Sequence, residues 1–161
     1  LKFLIHAVGH RMPAWVAAGF EEYARRMPRE IPLILKEVRP EPINPSSQGS
    51  PGAVERARRA ESERLRSGLP AEATVVALDQ RGQAYTTESF AGLIGTWLQQ
   101  GRDVAFLIGG AEGLDPALKH SAQLMLCVSS MTLPHQLVRV LLAEQLYRAV
   151  SLLRNHPYHR G

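Results

Sequence analysis

Five short apolar runs, spaced along the chain and separated by segments of helical periodicity, constrain this sequence more than any other feature. They are residues 2–8, Ile31 to Val38, Ala73 to Leu78, Asp103 to Ile108 and Leu124 to Val128. Each is strand-length, and turn residues follow: Gly9, Pro40, Asp79 with Gly82, Gly109-Gly110, and Ser129-Ser130. Between the first two runs, Trp15, Val16, Phe20, Tyr23 and Met27 form an apolar stripe at helical spacing, with Glu21/Arg25 and Glu22/Arg26 as i,i+4 pairs opposite. Val54 to Arg66 reads as a charged helix. Thr86 or Thr87 can cap a helix through Phe90, Ile94 and Trp97 that ends near Gly101. A short helix follows Pro116, and a long one runs from about Pro134 to Arg154. Strands alternating with helices specify a three-layer α/β fold with a mostly parallel sheet. At 161 residues the expectation is one domain, 1–161.

Two segments stand outside this pattern. Residues 40–53 are rich in Pro, Ser and Gly with a single large apolar residue, Ile43, before the next helix, and are expected to be a flexible loop. Residues 155–161 carry His, Tyr and Arg and no acid, and are expected to be a functional tail. The final helix is apolar almost all round: Leu137, Val138, Val140, Leu141, Leu142, Leu146, Val150 and Leu153 cover more than one stripe. Such a helix is buried on two sides, and the reading made from it is a homodimer.

Charge narrows the partners only a little. The 19 Lys and Arg exceed the 15 Asp and Glu by 19 − 15 = +4, spread evenly between the two halves of the chain, which permits a nucleic-acid partner without requiring one. The single Cys127 excludes an internal disulfide framework and a Cys-based zinc site. Without a secretory-type leader or an 18-residue apolar run, the expected location is the cytoplasm, with no membrane partner.

Ligands of parallel α/β sheets bind at the carboxyl ends of the strands. Three loops there draw attention: Leu78 to Gly82, Ile108 to Gly113, and Ser129 to Pro134. Gly109-Gly110-x-x-Gly113 lacks the spacing of a dinucleotide fingerprint, and no phosphate-binding loop exists. Ser130, His135 and Asp115 could be assembled into a hydrolytic triad, but no G-x-S-x-G elbow supports it. His156 and His159 make half a metal site at best, and no metal is expected.

Several stretches together carry a resemblance. They are His10-Arg11-Met12-Pro13-Ala14-Trp15-Val16, Leu107-Ile108-Gly109-Gly110-x-Glu112-Gly113-Leu114, Thr132-Leu133-Pro134-His135-x-Leu137-Val138-Arg139, Glu144-x-Leu146-Tyr147-Arg148-Ala149, and Asn155-His156-Pro157-Tyr158-His159-Arg160. In this order and over nearly the whole chain they resemble the ribosomal RNA large subunit methyltransferase H family of the SPOUT class. The resemblance implies a C-terminal trefoil knot, a homodimer, S-adenosyl-L-methionine as cofactor, and methylation of N3 of a pseudouridine in 23S ribosomal RNA of assembled ribosomes. Carried over by position, the cofactor residues are Leu78, Gly109, Gly110, Ser129, Ser130, Met131, Thr132, Leu133 and Pro134.

Methyl transfer from a sulfonium requires mainly alignment, so the chemical difficulty is the proton on N3. Arg139, Arg154 or Arg160 could stabilise the ring anion, and His135 or His159 could take the proton. For Arg139 the competing expectation is a buried pair with Glu144 or Glu112. Tyr158, His159 and Arg160 combine a ring, an imidazole and a guanidinium suited to an unpaired base and a phosphate. The catalytic candidates are therefore Arg139, His135, Tyr158, His159 and Arg160. In one respect the sequence departs from the family: the loop after the second strand is often basic there, whereas Pro40 to Gly52 has Glu41 and no Lys or Arg. Arg56, Arg58 and Arg59 could substitute. The alternative reading is a non-catalytic, ribosome-associated RNA-binding dimer that keeps the fold.

Overall fold

The computed structural model describes residues 1–47 and 49–159. Ten elements alternate as expected: β1 Phe3–Val8, α1 Ala14–Ala24, β2 Leu33–Val38, α2 Pro51–Ser67, β3 Thr74–Ala84, α3 Thr87–Gln100, β4 Val104–Ile108, α4 Pro116–Ser121, β5 Leu124–Cys127 and α5 His135–Leu153. The five strands form one sheet in the order β2-β1-β4-β3-β5, every pair parallel. β1 and β4 are central and buried along their whole length, which is why their sequences are nearly continuous apolar runs rather than alternating ones.

Two apolar clusters make the three layers. On one face Phe3, Ile5, Val76 and Phe106 pack under Phe20 of α1, Phe90, Ile94 and Trp97 of α3, and Leu142 and Leu146 of α5. The Phe106 ring meets those of Phe3 and Trp97 edge-on at 6.2 and 6.1 Å. On the other face Val8, Ala77 and Leu107 pack against Leu65 of α2, Leu114 and Leu118 of α4.

Local chemistry explains the boundaries. Thr86, not Thr87, caps α3, its hydroxyl accepting from the Ser89 amide at 3.1 Å. Thr87 instead donates to Gln145 Oε1 on α5 at 3.0 Å. α2 begins at Pro51, so the Pro/Ser/Gly loop is shorter than residues 40–53, and Pro45–Ser47 forms a 3-10 turn within it.

Two sequence expectations need correction. The third strand does not turn back at Gly82. β3 pairs with β5 up to Leu78, bulges, and pairs again at Gln83 and Ala84. A Cβ at Gly82 would lie 2.6 Å from the Met125 carbonyl carbon, so this glycine permits close strand approach rather than a chain reversal. The apolar excess of α5 is also largely consumed within one chain. The helix packs on both α1 and α3, and Leu142, Ala143, Leu146, Ala149 and Val150 are buried in the core. Leu146 therefore belongs to the fold; Leu137 and Leu141 remain half-buried.

Candidate functional site

The bulge of β3 at Leu78 to Arg81, the carboxyl ends of β4 and β5 and the first turn of α5 enclose a cleft of about 620 Å³. Of the residues expected to hold a cofactor, Leu78, Gly109, Gly110, Ser129, Met131, Thr132 and Leu133 line it, together with His135; Ser130 and Pro134 do not. Pro134 instead stands at the N-cap of α5.

The glycine loop after β4 doubles back on itself. Gly110 and Gly113 form an isolated antiparallel bridge, and the Gly113 amide donates to the Gly110 carbonyl at 3.0 Å. A Cβ at Gly109 would sit 2.6 Å from the Gly113 carbonyl carbon, and Gly113 itself has φ +78°, so both positions require glycine for geometric reasons. The loop after β5 is shaped by its own side chains. Ser129 Oγ accepts from the Met131 amide at 3.0 Å, and the Cys127 thiol donates to the Ser129 carbonyl at 3.1 Å. Gln80 Nε2 donates to Thr132 Oγ1 at 2.9 Å, joining the β3 and β5 loops. Met131 is 75% exposed.

The cleft walls are apolar at Leu78, Ile108, Leu114, Leu126, Val128, Leu133 and Val138, with charged groups between them. Lys119 Nζ of α4 reaches Asp79 at 2.8 Å, and the Arg81 amide donates to the same carboxylate at 2.7 Å. Burial pushes the Asp79 carboxyl up, but these two bonds outweigh it and hold it below the ordinary value. Arg58, Arg81 and Glu112 complete the charged lining. Arg58 comes from a helix remote in sequence, and Lys119 from a short helix outside the three loops, so no local spacing pointed to them as cleft residues.

His135 is half-buried at the cleft. Burial first, and then the positive charge of Arg139, depress its pKa, so at neutral pH it is an uncharged imidazole able to accept a proton. Arg139 itself does not line the cleft. It is fully buried, donating from Nη1 to Glu37 at 2.7 Å and from Nη2 to the Val8 and Gly9 carbonyls at 3.2 and 3.1 Å. Its acidic partner is Glu37 rather than Glu144 or Glu112.

Glu144 instead pairs with Arg148 at 2.6 Å and accepts from the Tyr158 hydroxyl at 3.2 Å. The tail thus folds back along α5, with the Tyr158 ring centroid 4.6 Å from that of Tyr147, tilted by 60°, and 4.9 Å from the Arg148 guanidinium. Burial, a bond with Tyr23 and the Glu144 charge push the Tyr158 phenol up to about 12. Tyr158 does not line the cleft of its own chain. Arg160 and the His159 side chain lie outside the described residues.

The chain is similar to known proteins over nearly its whole length. The family model described as Predicted SPOUT methyltransferase matches residues 1–159. A Nitrosospira multiformis protein named Ribosomal RNA large subunit methyltransferase H is 54% identical over 161 residues, spanning 100% of both chains. Proteins of the same name from Paraburkholderia xenovorans and Burkholderia thailandensis are each 56% identical, over 160 and 161 residues, covering 99% and 100% of each chain.

Proposed function

The chain belongs to the SPOUT methyltransferase family, and we propose that it methylates N3 of a pseudouridine in the large-subunit ribosomal RNA of assembled ribosomes, using S-adenosylmethionine. The observation that carries this reading is the convergence of Leu78, Gly109-Gly110, Ser129 and Met131 to Leu133 on one cleft beside His135. The full-length relatives at 54 to 56% identity bear the matching name.

The cleft suits the cofactor chemically. Leu78, Ile108, Leu133 and Val138 offer apolar walls to an adenine ring, and backbone groups of the two loops can meet its polar edge. Asp79 and Glu112 can accept from ribose hydroxyls or an ammonium group, and no phosphate needs a cradle. The bound cofactor would supply a methyl group already activated on a sulfonium. Accepting that methyl on N3 would require the N3 proton to leave. His135, neutral and at the cleft, is the described side chain best placed to receive that proton. Arg139 then serves by fixing the first turns of α5 to the end of β1, its charge adding to the burial that lowers the His135 pKa.

The same reading includes a knotted, homodimeric and cytoplasmic enzyme. Trp15, 60% exposed at the start of α1, and the half-buried Leu137 and Leu141 of α5 supply an apolar face for a second copy. No helix among the described residues is long and apolar enough to cross a membrane. Tyr158, His159 and Arg160 would contact the RNA beside the cleft. Calorimetric titration with S-adenosylmethionine tests the cofactor assignment: saturable binding is expected, and its absence at millimolar cofactor would leave the non-catalytic RNA-binding dimer as the better reading.

A further inference from the structure

The glycine loop at Gly109 to Asp115 has little of its own to hold it. Three of its first five residues are glycine, Ala111 is small, and its internal tie is the single Gly110–Gly113 turn. What holds it from outside is one face of α2. Arg58 Nε donates to the Glu112 carbonyl at 2.7 Å, and the Asp115 amide donates to Ser62 Oγ at 3.1 Å. Between them, the Glu61 carboxylate lies 3.6 Å from where a Cβ on Gly110 would be. Positions 58, 61, 62 and 65 share a helical face, and Leu65 anchors that face in the core with 0% exposure.

Glu61 and Ser62 are buried polar residues, 6% and 2% exposed, in a helix whose other polar residues are mostly at the surface. Burying them costs free energy unless they are partnered, and their partners are backbone groups of other segments. Glu61 Oε2 also accepts from the Glu41 amide at 3.0 Å, while Arg64 donates to the Arg39 carbonyl at 3.1 Å and pairs with Glu41. One rigid helix therefore grips the cleft loop on one side and the segment after β2 on the other.

We propose that Arg58 and Ser62 are positioning residues that set the shape of the Gly109–Asp115 loop, and through it the affinity of the cleft for cofactor. This rests on the reading of the cleft as the S-adenosylmethionine site. Neither residue needs to touch a reacting atom. Losing one such hydrogen bond should weaken cofactor binding about 2- to 12-fold, the range expected for about 0.5 to 1.5 kcal/mol.

The test has two arms on the full-length protein. In the first, backbone hydrogen exchange of residues 109–115 is measured without cofactor for wild type, Ser62→Ala, Ser62→Thr and Arg58→Ala. Ser62→Ala and Arg58→Ala should exchange faster in this loop while core peptides of β1 and β4 are unchanged, and Ser62→Thr, which keeps the hydroxyl, should restore protection. Wild-type exchange in both truncated variants would overturn the proposal. The second arm titrates S-adenosylmethionine into the same proteins: weaker binding in Ser62→Ala, rescued in Ser62→Thr, is expected, and unaltered affinity would also overturn it. Should wild type itself fail to bind cofactor, the reading of the cleft falls, while the exchange arm still decides whether α2 holds the loop. Arg58→Ala removes a half-buried side chain at the cleft, so its hydrogen exchange keeps the question answerable if a Ser62 variant does not fold.

Discussion

Replacing Arg139 by Met separates a structural from a chemical role for the residue that, on sequence alone, headed the catalytic candidates. The guanidinium is 0% exposed, and its removal would strand the Glu37 carboxylate and the Val8 and Gly9 carbonyls. Breaking one side of a buried ion pair costs about 3 to 5 kcal/mol. Glu37 keeps 34% exposure, so water can reach its carboxylate and the cost belongs at the lower end, about 3 kcal/mol. For a chain of this size each kcal/mol moves the melting temperature by about 2 to 4 °C, so the expected fall is about 6 to 12 °C. Circular dichroism during heating reads the loss, and methyl transfer measured well below the transition should then fall only modestly. A variant with wild-type melting but abolished methyl transfer would refute this reasoning and return Arg139 to the reacting atoms.

Other outcomes follow from the same contacts. His6 of β1 is fully buried with neither ring nitrogen partnered, and burial, then the Lys36 charge, lower its pKa from 6.5 to about 4. Between those values the unfolded chain takes up a proton and the folded one does not. Stability should therefore be complete above pH 6.5, fall as the pH drops and level off near pH 4, a loss of about 3 kcal/mol that His6→Met should abolish in urea titrations. Because Leu146 is buried in the core and Leu141 half-buried, Leu146→Glu should unfold the chain. Leu141→Glu should give a folded monomer by light scattering; a folded, active Leu141→Glu dimer would show that the interface lies elsewhere. Deleting residues 155–161 should leave cofactor affinity nearly intact and abolish ribosome methylation, and unchanged methylation would deny the tail a role.

The strand and helix order could be read from the sequence because each apolar run ended at a turn residue and each helix carried its own period. The cleft loops were legible for the same reason, since glycine clusters sit where parallel strands end. What could not be read were relations between distant residues. Arg139 invited pairing with Glu144 of its own helix or Glu112 of the glycine loop, yet it meets Glu37 of an edge strand, 102 positions away. Gly82 suggested a turn because local chemistry cannot distinguish a reversal from a strand pressed against Met125. The apolar circumference of α5 pointed to a second subunit, but α1 and α3 cover most of it, helped by Gly19, where a Cβ would lie only 3.1 Å from Val140. Lys119 and Arg58 enter the cleft from helices whose charged sequences resemble ordinary solvated faces.

The central claim is methyl transfer from S-adenosylmethionine to one pseudouridine of the large-subunit RNA. It is tested most directly by incubating the purified protein and isotopically labelled cofactor with ribosomes that lack the modification, then mapping the label by mass spectrometry of nuclease fragments. The account predicts label on N3 of a single pseudouridine in large-subunit RNA, lost when Gly109 is replaced by Ala. Binding of cofactor and ribosome without any transfer of label would contradict it.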